Sequence, residues 1–442
     1  MVLRKHATWG GPWCISLAAL AIALPAVAQD GLDSGDTAWM LVATALVLFM
    51  MIPGLAMFYS GLVRRKNALS LFMQCFGLTA MVTVLWTAFG YSLAFDTTGM
   101  AKGEGGLHAF IGGLNLAMLR GITPDTLRGS IPEALFFIFQ MTFAIITPGL
   151  IVGAFAERMK FGAVMFFSGL WLVLVYLPVC HMVWGGEGAW MADMGVIDFA
   201  GGIVVHLTAG MAALVAAIMV GPRRGYPQKP FPPHNMTMTM AGTAMLWVGW
   251  FGFNGGSAVA ANGSAAMAVV VTQISPSVAA IVWMIIETIK NGKPSALGVG
   301  TGAIAGLAAI TPAAGSVGPL GAVVIGLVSG GFCYWAATSL KRRFGYDDAL
   351  DVVGVHGGGG LVGTLLVAVF GAPALGGWVA DMNIGRQLGV QALAVGVTLA
   401  YCGVVSFVLL KVVDGVMGLR VRDDQEEQGL DLSEHGEVGY DL

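Results

Sequence analysis

Asp198-Phe-Ala-Gly-Gly-Ile-Val-Val-His206 opens one apolar stretch of the chain, and Asp348-Ala-Leu-Asp-Val-Val-Gly-Val-His356 opens another. In each, a carboxylate stands eight residues ahead of an imidazole, and the imidazole falls deep in a run too apolar for a surface loop. The rest of the sequence decides whether this pairing is an accident.

Charged residues make up 11% of the 442 positions, against about 25% in soluble globular chains. Hydrophobic residues reach 57%, and 65 glycines come on top. So few charges cannot cover a water-facing surface, which excludes a soluble enzyme, and the hydrophobicity excludes disorder. A net charge of −3 offers no basic field for nucleic acid. The chain reads as an all-α integral membrane protein in contact with lipid, and not as an enzyme.

Runs without Asp, Glu, Lys or Arg cover 37–63, 67–95, 134–156, 161–186, 199–222, 230–286, 294–340, 352–380 and 387–410. A membrane helix needs about 20 apolar residues. The two longest runs are therefore split, at Asn254-Gly-Gly with Asn262-Gly and at Thr311-Pro with Gly315 to Pro319, both of which are turn chemistry. Eleven transmembrane helices result. Membrane β-strands would alternate in polarity over about ten residues, and these runs do not.

Residues 1–28 read as a cleaved signal peptide, with Arg4, Lys5 and His6 ahead of Ile15 to Leu24 and an Ala26-Val-Ala28 site, the usual order of such segments. That leaves 29–416 as the membrane domain and 417–442 as a cytoplasmic tail. Thirteen Lys and Arg then fall in inner loops, among them Arg64, Arg158, Arg223 and Lys341, against four in outer loops. This is the positive-inside bias of a multi-pass inner-membrane protein, with its N-terminus outside and its C-terminus in the cytoplasm.

With eleven spans, Asp198 and Asp348 each open the fifth helix of a set of five. Five is odd, so the sets run in opposite senses: helices 1–5 and 6–10 form an inverted repeat, followed by an eleventh. Such repeats place the substrate path between the halves near the midplane. The two Asp are either helix caps or, at Asp198, a direct cation ligand. His206 and His356 are the deep ionisable groups, and such groups are functional by default. Gln140, Thr301 and Thr311 read as interhelical hydrogen-bonders. The glycines after His356 read either as backbone lining a pore or as tight packing. Cys75, Cys180, Cys333 and Cys402, far apart in apolar runs, read as small buried side chains with no metal spacing.

At these residues the chain resembles the ammonium transporter family (Amt/Mep/Rh), on its bacterial Amt side. The Asp198–His206 segment carries the likeness, with Gly249-Trp-Phe-Gly-Phe-Asn-Gly-Gly-Ser257, His181-Met-Val-Trp184, Gly354-Val-His356-Gly and Gly429-Leu-Asp-Leu-Ser-Glu-His-Gly436. Two departures stand out: Gly255 where the family often has Ala, and the glycine-rich run through Gly358 and Gly359. The resemblance implies the ammonium-transporter fold, a homotrimer with one pore per subunit, and ammonium or methylammonium as substrate. It implies an outer substrate site of Trp184, Ser257 and Phe143 organised by Asp198, a gate of Phe143 and Phe253, and a pore-lining His206–His356 pair that relays protons. It implies no cofactor, a tail packed on a neighbouring subunit, and a cytoplasmic partner of the PII regulatory class.

The chemistry is coherent. An aromatic face attracts a cation by about 0.5–2 kcal/mol, enough to recruit ammonium without trapping it. A bare cation in an apolar lumen is far costlier, so ammonium sheds its proton as a buried lysine would. Three rivals remain: an ammonium sensor without transport, a gas channel of the Rh type, and an electron carrier in which the two histidines ligate a haem.

Overall fold

The computed structural model describes residues 31–440; the expected signal peptide lies outside the described residues. The chain is helical almost throughout. Among the described residues, nine helices are long and apolar enough to cross a membrane: α1 (Ser34–Leu62), α2 (Arg65–Phe95), α3 (Glu133–Phe155), α4 (Phe161–Trp184), α5 (Gly202–Val220), α7 (Gly263–Asn291), α9 (Pro319–Phe344), α10 (Val353–Phe370) and α11 (Ile384–Met417). Between them stand α6 (Met236–Gly256), diluted by threonine and glycine, and α8 (Ala296–Ile310), of 15 residues. A count of eleven spans requires both. Two short helices, α12 (Asp423–Gln428) and α13 (Leu430–His435), form the tail.

Helix boundaries follow local chemistry. Asn235, Asn262, Ser295 and Asn383 accept backbone N–H groups at the starts of α6, α7, α8 and α11, satisfying donors that lipid could not. The long apolar runs break where Asn-Gly and Thr-Pro stand, so that α6 ends at Gly256 and α8 at Ile310.

The halves are related in a detail that no periodicity shows. Widened π-helical turns pair at Leu172–Tyr176 in α4 with Ala336–Leu340 in α9, and at Gly202–Leu207 in α5 with Val353–Gly357 in α10, while those at Met50–Leu55 in α1 and Trp86–Gly90 in α2 have no counterpart in α6 and α7. Such turns are rare and gather at functional sites. Each of the second pair holds one of the deep histidines.

Glycine governs how closely these helices approach. A Cβ on Gly302 would lie 2.7 Å from Trp283, and one on Gly306 2.6 Å from Pro276, so α8 beds into α7. Gly359 faces Ala308, and Gly360 faces the Gly202 carbonyl and the His206 Cβ. The run after His356 therefore serves helix packing, which draws the two histidine turns together. Gly255 points at Val269 and Trp39, away from the lumen.

The end that carries Arg64, Glu157, Arg223 and Asp347, called the inner end here after the loop-charge expectation and the opposite one the outer end, is tied by buried ions. Glu157, fully buried, accepts from Arg64 Nε at 2.9 Å, Asn67 Nδ2 at 2.9 Å and Arg223 Nη1 at 3.2 Å. Arg223 also grips Asp347 through Nε and Nη2 at 2.9 and 2.8 Å. Glu157 adopts φ +73°, a strained value for a residue with a side chain, held by these three partners. Burial alone would raise the Glu157 carboxyl, but Arg64 and Arg223 outweigh it and hold it below the usual range. Asp347 is likewise pushed up by burial and pulled lower by Arg223.

The tail docks on the helix ends of the same chain. Ser70 N–H donates to Asp431 Oδ1, Leu430 N–H to Asn67, Phe161 N–H to Glu434 and Arg224 N–H to Glu426. Glu426 is buried against Arg420, so this part of the acidic run is a contact surface and not merely solvated.

Candidate functional site

The site is a file of aromatic rings along the seam between the halves. Trp184, at the outer end of α4, is half-buried, and its Nε1 donates to the Asp198 carbonyl at 2.8 Å. Its ring meets Phe143 edge-on, centroids 5.9 Å apart at 88°. Phe143 on α3 stacks on Phe253 of α6 at 4.2 Å and 28°, and both are buried. Phe253 lies 6.1 Å from the His206 ring, which stacks on His356 at 5.3 Å and 22°. Ser257, one turn beyond Phe253, is half-buried at the outer mouth and donates its hydroxyl to the Phe253 carbonyl at 2.8 Å. All seven residues singled out from the sequence thus belong to one outer-to-inner line.

The histidines face each other through Nδ1, 3.3 Å apart. Two bare nitrogens would repel there, so one donates and the edge holds one proton. His206 Nε2 is buried with no partner, an unused acceptor or donor of the kind that marks function. The lumen beside them has room for about 10 Å³, walled by Leu55, Ile146, Leu246, Phe253 and Ile304. That is at the lower limit for a single water. A haem lying between the two imidazoles would need a flat macrocyclic slot, and a 3.3 Å ring contact beside so small a lumen leaves none.

Below the pair a wider cavity of about 310 Å³ opens at the inner end, bordered by Tyr59, Arg223, Lys229, Lys341, Asp351 and again His356. His356 thus borders both the lumen and the inner cavity, whereas His206 borders the lumen.

Asp198 is a helix cap. Its Oδ1 accepts N–H from Gly201 and Gly202 at 2.9 and 2.6 Å, and its Oδ2 from Ile203 and Val204 at 2.8 and 3.1 Å. The carboxylate is fully engaged at the positive end of α5, and burial still pushes its carboxyl above the usual range against those four bonds. Its carbonyl, meanwhile, fixes the Trp184 ring.

Of the other deep polar groups, Thr311 accepts from Trp250 Nε1 at 2.9 Å across helices. Thr301 turns back to Leu297 of its own helix, and Gln140 Oε1 has no partner among the described residues. The interhelical reading therefore holds for Thr311 and fails for Thr301, whose hydroxyl finds a carbonyl one turn back. Sequence reasoning missed Trp250, which stacks on His206 at 5.4 Å and 25°. Its signal was its place three residues before Phe253, on the same helical face. The four described cysteines are free and buried.

A family model described as the Ammonium Transporter Family matches residues 38–440. An ammonium transporter of Mycobacterium tuberculosis (strain H37Rv) is 45% identical, covering 93% of this chain and 91% of its own. An ammonium transporter of Bacillus subtilis is 44% identical, covering 92% and 99%. Among solved structures, Saccharomyces cerevisiae Mep2 matches with TM-score 0.80 and 34% identity over 89% of each chain. A structure described as a sensor Amt protein matches with TM-score 0.83 and 29% identity over 91% of this chain and 98% of that one.

Proposed function

Because the chain belongs to the ammonium transporter family, we propose that it recruits ammonium at Trp184 and Ser257, admits it past the Phe143–Phe253 gate, strips its proton at His206 and conducts ammonia through the lumen, while His206 and His356 relay the proton. The observation that carries this reading is the Nδ1–Nδ1 contact at 3.3 Å, placed between an apolar lumen and an open inner cavity.

The relay balances in atoms. His206 Nδ1–H donates to His356 Nδ1, which leaves His206 Nε2 bare and His356 Nε2 protonated. Ammonium gives its proton to His206 Nε2, the Nδ1 proton crosses to His356, and His356 Nε2 releases one to the inner cavity. Ammonia follows through the lumen, whose size excludes a hydrated cation, and the tautomers reset before the next turnover. Trp184 supplies an aromatic face for the cation. Asp198 acts by holding α5 and the Trp184 ring.

We further read the chain as eleven-spanning, with α6 and α8 as the two additional crossings, the N-terminus outside after cleavage of residues 1–28, and residues 417–442 in the cytoplasm. A homotrimer and a PII-class partner complete the proposal. A reporter fused after Leu442 should be active only in the cytoplasm, and the membrane protein's mass should be that of three chains.

The likeness to a sensor Amt protein keeps one second reading in view, ammonium binding without net transport. One experiment separates the two: current from purified protein in liposomes under ammonium and potassium pulses, for the wild type and the His206→Ala, His356→Ala double variant. Wild-type ammonium current that falls at least about tenfold in the double variant, with the oligomer intact, supports the relay. An undiminished current that still excludes potassium sends the proton elsewhere, and no wild-type current supports the sensor.

A further inference from the structure

His181, on the last turn of α4, is fully buried and has no part in the relay. Its Nδ1 lies 2.9 Å from the Ala94 carbonyl oxygen and its Nε2 2.8 Å from the His108 carbonyl oxygen. A carbonyl accepts and cannot donate. An imidazole that meets carbonyls at both nitrogens donates from both, and an imidazole with two N–H groups is the cation.

The surroundings suit a cation although no carboxylate touches the ring. His181 sits at the C-terminal end of α4 and Ala94 at the C-terminal end of α2, where unshared carbonyls and the negative ends of both helices converge. Thr98, whose N–H would reach Ala94 if α2 ran one turn further, donates to Asp96 instead. The charged and titratable groups on the packed elements are otherwise placed. Asp96 accepts from Thr98 and Asn115, Asp193 from Gly103 and Gly188, and Asp198 from its four N–H groups. Glu133 takes the Tyr91 hydroxyl beside Arg128. Lys102, Glu104, Glu187, Tyr176, Cys180 and the His108 side chain make no hydrogen bond to the ring.

The position matters because Trp184 is three residues on. Gly185 N–H bonds the His181 carbonyl at 2.8 Å, so the turn that carries Trp184 is fixed from the same residue that grips the outer loop. We propose that His181 is a positioning residue that works as an imidazolium, clamping the outer loop at His108 and the end of α2 onto the helix end that presents Trp184. Loss of one proton leaves a nitrogen lone pair facing a carbonyl oxygen inside 3 Å, a buried acceptor with no donor. With either ring N–H missing the clamp opens, and ammonium capture weakens with it. This rests on Trp184 being the recruitment residue.

Two measurements test it. In protein labelled with 15N-histidine, the His181 signals, assigned by their loss in His181→Gln, should show both ring nitrogens protonated. The half-saturating ammonium ion concentration for liposome current should be about threefold or more higher in His181→Gln than in the wild type. A singly protonated His181 ring overturns the proposal, as does a His181→Gln variant with the wild-type half-saturating concentration. If His181→Gln does not fold, the His181 signals are those retained in each of His108→Gln, His206→Gln, His234→Gln, His356→Gln and His435→Gln: a doubly protonated ring there upholds the proposal, and a singly protonated one overturns it. Unchanged ammonium-to-potassium selectivity in Trp184→Leu, with a doubly protonated His181, would instead sink the recruitment reading and leave the clamp standing.

Discussion

Asp198 and Asp348 hold equivalent places in the two halves, yet one is saturated and the other is not. Asp198 accepts four backbone N–H groups. Asp348 accepts one of good geometry, from Val353 at 2.8 Å, and its buried Oδ1 has none. Burial pushes the Asp348 carboxyl up to about 6, with Lys341 drawing it partly back. Asp198 holds a helix start with its carboxylate and the Trp184 ring with its backbone carbonyl. Beside Asp348 the chain is tied instead by the Arg64–Glu157–Arg223–Asp347 network, three of whose members come from the first set of helices, and Asp348 stays half-satisfied at its helix start. The same nine-residue motif thus serves unlike ends, because the sequences packed around it differ.

Breaking the inner network should have the largest effect. Glu157→Ala leaves Arg223 buried without one partner, and removing one member of a buried ion pair costs about 3–5 kcal/mol. Thermal unfolding in detergent should show the largest drop in Tm of these variants. Acid should do the same to the wild type. The Glu157 and Asp347 carboxyls are held low in the fold, so their stabilisation is complete above their unfolded values and is lost as pH falls through their folded ones. A wild-type Tm that ignores acidification would remove these groups from the account.

Asp198→Ala should come next, since it abandons four N–H groups at a membrane helix start, where a cap alone is worth about 0.5–2 kcal/mol. Liposome current should fall more than Tm does, because the Trp184 ring loses its fixed acceptor backbone. If Tm falls and current does not, Asp198 is a cap and nothing more.

Trp184→Leu removes a cation–π contact of about 0.5–2 kcal/mol, so the ammonium-to-potassium current ratio should drop by about 2- to 30-fold with Tm nearly unchanged. An unaltered ratio would take Trp184 out of the site.

The smallest effect sharpens the comparison from the other side. The Asp348 carboxyl is raised in the fold, so the wild type loses stability as pH climbs from about 4 to about 6 and is level above that. Asp348→Asn keeps an acceptor for Val353 and removes the buried charge. Its Tm at pH about 7.5 should equal or exceed that of wild type, and its profile should lack the loss between pH about 4 and 6. A variant much less stable than wild type would mean that the inner Asp is as necessary as the outer one.

Much of the candidate site was legible because its side chains are costly in a membrane. A histidine in an apolar run is conspicuous in any sequence, and two at matched places point to each other. Trp250 and His181 escaped for the opposite reason. Trp250 is one of 12 tryptophans and resembles any core aromatic until its ring is found on His206. His181 becomes notable only when two distant carbonyls, from Ala94 and His108, are seen to meet both its nitrogens.

Composition, turn residues and the twice-used Asp–His spacing were by themselves enough to determine a helical membrane protein built of opposed halves, with its ionisable groups at the seam. These are one-dimensional properties: hydrophobic length sets the spans, and residue order sets which helices correspond. Tertiary structure alone decided that the glycines after His356 pack helices, that His206 and His356 meet through Nδ1, and that Asp198 is saturated while Asp348 is not. Each depends on which atoms of distant segments come within about 3 Å, the reach of a hydrogen bond, and that is settled by how closely small residues let the helices approach.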